Sequence, residues 1–336
     1  MTTPNPGGLF NLALGFMASR TFLTAVEMGV FGALADGPKS IEALQGTLGL
    51  HPRGARDFLD GLVALKVLAR DEAGLYANTP EGALFLDPAK PSYIGGIFEM
   101  TSRRLYGHWE RLPAALRTGE FQNEARFGDD VFAQLYSDPE RLEVFLAGMT
   151  GVSRGPAMAI AEHFPWANYK TFADCGAAQG VVPVTLAQAH PHLKGIGFDL
   201  PQVKPVFEKF VAKNGLTDRL TFQAGSFFTD KLPKADVLVM GHILHDWDLK
   251  QKKFLVKAAY DALDPGGVFL AYDMMIDDAR RENVAGLMMS LNMLVETQGG
   301  FDYTGADSRE WFKDAGFKDV KTTPISPTHS MTVGTK

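Results

Sequence analysis

The second half of the chain alternates short apolar runs with helical stretches. An apolar run ends in Asp174, and the small-residue turn Gly176-Ala177-Ala178-Gln179-Gly180 follows. A helical pattern comes next, and a second strand, Lys194 to Phe198, closes with Asp199 and Leu200. This order of strand, tight turn, helix, strand and acid is half of a nucleotide-binding α/β unit. Arg219 to Phe222 predicts a third strand, leading into Ala224-Gly225-Ser226-Phe227-Phe228. Ala235 to Met240 predicts a fourth, running into Gly241-His242-Ile243-Leu244-His245-Asp246-Trp247-Asp248. A helix from about Leu249 to Leu263 and the turn Asp264-Pro265-Gly266-Gly267 lead to a fifth strand, Val268 to Tyr272, which ends at Asp273.

The first half is patterned differently. Leu9 to Leu34 is helical in period and heavily apolar, with a break near Gly29. Ser40 to Thr47 reads as a short helix with Ser40 as its N-cap, and His51 to Leu65 as a second helix. Lys66 to Arg70 and Gly74 to Asn78 read as a small hairpin, and Thr79-Pro80 starts another helix. Helix, helix, hairpin is a winged-helix arrangement. Ser92 to Phe164 is mostly helical, punctuated by Gly95-Gly96 and Thr118-Gly119. The pattern divides the chain into residues 1–100, a helical linker and lid region 101–165, and a Rossmann-like domain 166–336.

The residues of the turn narrow the ligand. Dinucleotide sites usually carry G-x-G-x-x-G, but here Ala178 takes the second position and no third glycine follows at that spacing. Asp174, two residues before Gly176, would repel a pyrophosphate and suits a cation such as an ammonium group. Asp199 can take both hydroxyls of a ribose. A ribose acid together with an ammonium acid points to S-adenosylmethionine, which has an adenosine, a methionine and no phosphate. Ser226-Phe227 would hold the adenine by edge and face, and Gly180, Leu200, Gly241 and His242 would border the same ligand.

With these motifs in place, the chain resembles the plant-type O-methyltransferase family, which includes caffeic acid, hydroxyindole and many bacterial polyketide O-methyltransferases. GHILHDWD, LDPGG and the Asp174 turn carry the resemblance, which covers nearly the whole chain. It implies a class I methyltransferase domain behind an N-terminal dimerisation domain whose first helix reaches toward the partner's active site. It also implies that His245 is the general base, flanked by carboxylates at Asp273 and Asp302. The family usually has Glu at those two positions, so Asp shortens both arms. Two further departures are Ala178 in place of Gly and Ser226 in place of Asp. The family places the segment from Leu105 above the methyl-donor site and uses the helix Val284 to Thr297 for substrate contacts, so Tyr106, Trp109, Phe145, Met149, Met289 and Met293 are candidates to line a substrate pocket. Arg103 and Arg104, adjacent and so about 100° apart on a helix, offer one cation to an acceptor carboxylate.

Composition removes several other functions. The chain of 336 residues carries a formal charge of -6, and residues 1–100 hold seven Lys or Arg against ten Asp or Glu. A DNA-binding winged helix needs a positive face, and this one lacks it. The one cysteine, Cys175, excludes an internal disulfide and suits a reducing cytoplasm. The start MTTPNPGG is unlike a signal peptide, and Arg20 and Glu27 interrupt the best candidate for a membrane span. Phe10, Leu14, Phe16, Met17, Phe22 and Val26 are too many apolar groups for one exposed helix, so they require burial in the chain's own core or against a second copy.

The chemistry required is modest. A sulfonium methyl is already activated, so the protein has to align the acceptor and take a proton, and no metal is called for. A phenol with pKa of about 10 must lose its proton as the bond forms, and a histidine titrating near 6.5 is suited to take it. Three readings remain open on the sequence alone: methyl transfer to a hydroxyl, methyl transfer to the thioether of a small acid, in which His245 would only position, and a cofactor-bound protein that transfers nothing.

Overall fold

In the computed structural model, residues 4–123 and 139–336 are described. They fall into two units, one up to Gly107 and one from His108 onward. Residues 124–138, part of the stretch expected to be mostly helical, lie outside the described residues.

The first unit begins with the helix Gly7–Glu27 and turns through Gly29, whose φ of 73° is open to glycine without strain, into the short helix Val30–Ala33. Helices Ile41–Leu48 and Pro52–Ala64 follow. The Ser40 hydroxyl accepts from the Ala43 amide at 3.3 Å, so the expected N-cap is present. Strands β1 (Leu68–Arg70) and β2 (Tyr76–Asn78) form the antiparallel hairpin, and helix Pro80–Phe85 comes next. Val26, Val30, Phe31, Leu44, Leu59, Leu62 and Tyr76 form the core. Of the six apolar groups expected to need burial, Val26 is buried and Phe22 packs on Phe98 and Phe31, while Phe10, Leu14, Phe16 and Met17 stay exposed. Leu12 beside them is 81% exposed.

Two expectations for this unit change. The Gly7–Glu27 helix is, by length and composition, long and apolar enough to cross a membrane, contrary to the argument from its charges. Arg20 and Glu27 sit seven residues apart and pair with each other at 3.4 Å. Within the stretch expected to be helical, Thr101–Leu105, which carries Arg103 and Arg104, is a π-helical turn.

The second unit is built on a seven-stranded sheet. Strands β3 (Thr171–Cys175), β4 (Lys194–Asp199), β5 (Leu220–Ala224), β6 (Val237–Gly241) and β7 (Val268–Asp273) are mutually parallel. β8 (Lys318–Pro324) and β9 (Ser330–Thr335) add antiparallel at the β7 edge, giving the order β5-β4-β3-β6-β7-β9-β8. The central strands are mostly apolar up to their C-terminal ends because both faces of the sheet are covered. Strand order reverses at β3, which has β4 on one side and β6 on the other. A crevice therefore opens at the C-terminal ends of these strands, where Asp174, Asp199, Gly241 and Asp273 are found.

Candidate active site

The turn after β3 is held by backbone bonds. The amides of Gly176 and Ala177 donate to the Phe198 carbonyl at 2.8 and 3.3 Å. Gly176 has a φ of 89°, and a Cβ there would lie 2.2 Å from Ile243 Cδ1. Ala178 adopts a φ of 47°, which explains why glycine is the ordinary choice at that position. Asp199 anchors the turn: its carboxylate accepts from the Ala178 amide at 2.9 Å and from the Leu200 amide at 2.7 Å. The reach of Asp199 is thus set before any ribose arrives. Gly180 ends the turn as the N-cap of helix Val181–Ala189.

Ser226 and Phe227 come to the same place. The Gly225 amide donates to the Asp199 carbonyl at 2.9 Å, and the Phe227 ring stands 3.3 Å from where a Cβ on Gly176 would be. Asp174 and Asp199 are both buried. Burial, reinforced by the charge of Asp199, pushes the Asp174 carboxyl up to about 8. Burial pushes Asp199 up to about 6 against the opposing pull of its two amide donors. Two buried acids without a cation are expensive, and a ligand bearing an ammonium group and a ribose satisfies both. The free thiol of Cys175 is buried behind the turn and is pushed up by that burial, so it is a packing group and not a nucleophile.

The second half of the site lies at the ends of β6 and β7. His245 sits in the 3-10 turn Leu244–Asp246 and is buried. Its Nδ1 is 3.3 Å from Asp302 Oδ1 and 3.8 Å from Asp273 Oδ1, so Asp302 is the carboxylate within hydrogen-bonding reach. Asp273 spends its other oxygen on the Tyr303 hydroxyl, which donates to it at 2.5 Å. Asp246, a third carboxylate not foreseen from the sequence, lies 3.6 Å from His245 Nε2. Burial alone would lower the His245 pKa. The fields of Asp302, Asp273 and Asp246 outweigh it and raise the imidazole to about 10.

His242, expected to border the cofactor, is gathered against this acid cluster. Its Nδ1 is 3.9 Å from Asp273 Oδ1, and its ring meets Tyr272 and His329 edge-on. It holds a φ of 54°, a costly conformation for a residue with a side chain. Ligand atoms of His242, His245 and Asp273 all lie within 4.8 Å of one another, so the three groups form one close-packed buried polar cluster. His329 contributes from the β8–β9 turn; burial first, then the His245 charge, pushes it down to about 4.

The expected acceptor-side residues divide. Trp109 donates from Nε1 to Asn292 at 2.8 Å, on the helix Val284–Glu296 that also carries Met289 and Met293. Met293 is buried and Met289 half-buried. Phe145 and Met149 are on the helix Pro139–His163, with Phe145 packed on the sheet core. Tyr106 and Arg103 belong to the first unit, where Tyr106 donates to the Phe16 carbonyl at 3.0 Å and Arg103 is exposed. Two polar residues of the long helix had no sequence signal. Thr150 donates to Gln179 of the turn at 2.8 Å, and the buried Ser153 hydrogen-bonds Tyr272. The His108–Glu296 pair at 2.8 Å was also unforeseen.

Comparison with known proteins now decides the family. Residues 109–318 match the O-methyltransferase domain family, and residues 10–88 match the O-methyltransferase dimerisation domain. The chain belongs to the O-methyltransferase family. It is 42% identical to the tetracenomycin polyketide synthesis 8-O-methyl transferase TcmO of Streptomyces glaucescens, over 98% of this chain and 97% of that one. It is 35% identical to the N,N-dimethyltransferase OxyT of Streptomyces rimosus, over 92% and 90%. The human N-acetylserotonin methyltransferase, solved in complex with SAM, superposes with a TM-score of 0.91 at 26% identity over 100% of this chain and 99% of that one. The fold is the class I methyltransferase fold behind an N-terminal dimerisation domain. The protein is an S-adenosylmethionine-dependent O-methyltransferase of small molecules, and these relatives lend the thioether reading no support.

Proposed function

We propose that the enzyme methylates a phenolic hydroxyl of a fused-ring aromatic acceptor, with His245 as general base. The observation that carries this reading is the buried His245 imidazole with Nδ1 held by Asp302 at the same sheet end as Asp174 and Asp199. A carboxylate only accepts, so Nδ1 carries the proton and Nε2 is the basic nitrogen. When bound, S-adenosylmethionine supplies a methyl group ready for displacement. Asp174 would hold its ammonium group, Asp199 its ribose, and Ser226-Phe227 its adenine. His245 takes the phenolic proton at Nε2. Asp302 and Asp273 stabilise the imidazolium, with Asp302 as the orienting partner. The identity with TcmO, and with a 3-hydroxy-5-methyl-1-naphthoate 3-O-methyltransferase of Streptomyces sahachiroi at 34%, supports an aromatic acceptor. Trp109, Met289 and Met293 supply flat, adaptable apolar surface for one.

The direct test offers labelled methyl donor with a panel of hydroxynaphthoates, hydroxylated tetracyclic aromatics and aryl amines, and identifies products by mass spectrometry. Label on a phenolic oxygen is expected. Label confined to amines would replace the acceptor class.

The first unit, with its helix-helix-hairpin order, serves as a winged-helix dimerisation module in a cytoplasmic homodimer. Its exposed Phe10, Leu12, Phe16 and Met17 supply the apolar face, and a second copy covers it better than a bilayer does, because this stretch falls within the matched dimerisation domain. An obligate interface buries roughly 2,000 Å² or more. Sedimentation at low micromolar concentration should therefore show no monomer, and Leu12→Asp should produce one. A fully active wild-type monomer would refute the assignment.

A further inference from the structure

Among the described residues, one fully buried lysine has no part in the proton transfer. Lys252 lies in the first turns of helix Leu249–Ala262 and is 0% exposed. Its Nζ donates to the Trp247 carbonyl and stands 3.5 Å from the centroid of the Phe301 ring. Trp247 closes the segment that carries His245, and Phe301 directly precedes Asp302. The two segments run close together: a Cβ on Gly300 would fall 2.6 Å from the His245 carbonyl oxygen and 2.7 Å from that of Asp246. Lys252 thus touches both sides of the seam on which the 3.3 Å His245–Asp302 contact depends.

The electrostatics match the geometry. A buried ammonium persists only where charge or ring faces compensate it. The acids acting on Lys252 are Asp273 from the end of β7, Asp302 from the loop after Gly300, and Asp246 and Asp248 from the segment before its own helix. Other titratable groups of this cluster are His245, His242 and His329, Tyr303 and Tyr272 against Asp273, and Glu296, which acts on Asp246. Burial draws the lysine down to about 8, with the four acids opposing.

From this we infer that Lys252 is a positioning residue for methyl transfer: it clamps the His245 segment to the Asp302 loop through the Trp247 carbonyl and the Phe301 ring, and its charge offsets Asp246, Asp273 and Asp302 so that His245 releases its proton more readily. The inference rests on His245 being the base. Removing the cation leaves the cluster more negative, so the imidazole holds its proton more tightly and the acid limb of the rate profile moves to higher pH.

The test is Lys252→Met in the full-length enzyme, a side chain of similar length without charge, with kcat, KM for the methyl donor and the pH–rate profile measured. Donor KM should stay near the wild-type value, kcat should fall roughly 10–100-fold through misplacement of the base, and the acid limb should move up by roughly half to one unit. Lys252→Arg should return the limb toward its wild-type position. A folded Lys252→Met enzyme with wild-type kcat and an unmoved limb overturns the proposal. A reduced kcat with an unmoved limb overturns its electrostatic half. Should Lys252→Met fail to fold, Phe301→Leu keeps the charge and removes the ring contact: a several-fold lower kcat supports the clamp, and an unchanged kcat overturns it. His245→Ala, assayed in parallel, separates the two ideas. An active His245→Ala enzyme removes the base reading itself, whereas an inactive one beside an unaltered Lys252→Met enzyme removes only the role of the lysine.

Discussion

Replacing His245 by alanine should lower turnover about 10²–10⁴-fold while leaving affinity for S-adenosylmethionine nearly intact. The imidazole is joined to Asp302, Asp273 and Asp246 and has no bond to the turn after β3, so its loss removes the proton acceptor and spares the residues read as holding the methyl donor. Calorimetry with the donor and single-turnover assays with a phenolic acceptor check both halves. A His245→Ala enzyme that keeps most of its activity would mean the proton leaves by another route.

The pH dependence of the wild type should differ from that of an ordinary histidine base. At an unperturbed value near 6.5 the rate would level off just above neutrality. The three carboxylates raise His245 to about 10, so the active neutral form is scarce at pH 7 and increases about tenfold per pH unit below that value. Activity should therefore climb through the neutral and alkaline range. A cationic ligand beside the cluster draws the limb back toward neutrality, so the profile of kcat should lie acid of the profile of kcat/KM. Asp302→Asn should shift both toward acid. The same group has a stability consequence of opposite sign. Its folded-state value is raised, so its stabilising contribution is complete below about 6.5 and is lost as pH climbs toward 10.

Much of this site was legible in the sequence because sheet periodicity places strand ends. Once the apolar runs before Asp174, Asp199, Gly241 and Asp273 are read as parallel strands, the fold brings their last residues to one crevice. Asp302 could be placed only through the resemblance, since its contact with His245 spans 57 positions. The residues that escaped notice act across the chain. Asp246, in the turn after β6, and Lys252, in the helix that follows, carry no apolar signal that foretells burial, yet the Gly299–Gly300 turn lets a loop close over them. His329 escaped because β8 and β9 did: Lys318–Pro324 is polar, exposed along much of its length, and has a register shift between Lys318 and Lys321. Such an edge strand has almost no apolar alternation to read. Thr150 and Ser153 matter through Gln179 and Tyr272, contacts that no local spacing encodes.

Asp174→Asn should weaken binding of S-adenosylmethionine and stabilise the free enzyme. An ionised carboxylate hydrogen-bonded to an ammonium group is worth about 1.5–3 kcal/mol, or roughly 10–150-fold in affinity. In the free protein Asp174 is raised from its ordinary range to about 8, first by burial and then by Asp199. At neutral pH it is therefore mostly protonated and must release its proton when a cation arrives. Affinity should rise with pH up to about 8 and level off there, and calorimetry in buffers of different ionisation enthalpy should show the released proton. The linkage to folding runs the other way. Between the ordinary carboxylate value and about 8 the folded chain binds more protons than the unfolded one, so the free enzyme loses stability across that window as pH rises. Asparagine carries no charge to bury and removes this penalty, which should raise the melting temperature at pH 8 by roughly 2–4 °C for each kcal/mol recovered. The substitution should also flatten the pH dependence of binding. Asp199 makes a sharper control, because its carboxylate also anchors the Ala178 and Leu200 amides: Asp199→Ala should lose affinity and stability together. If Asp174→Asn binds the donor as tightly as the wild type at pH 8, the ammonium group is held elsewhere, and the buried acid serves only the fold.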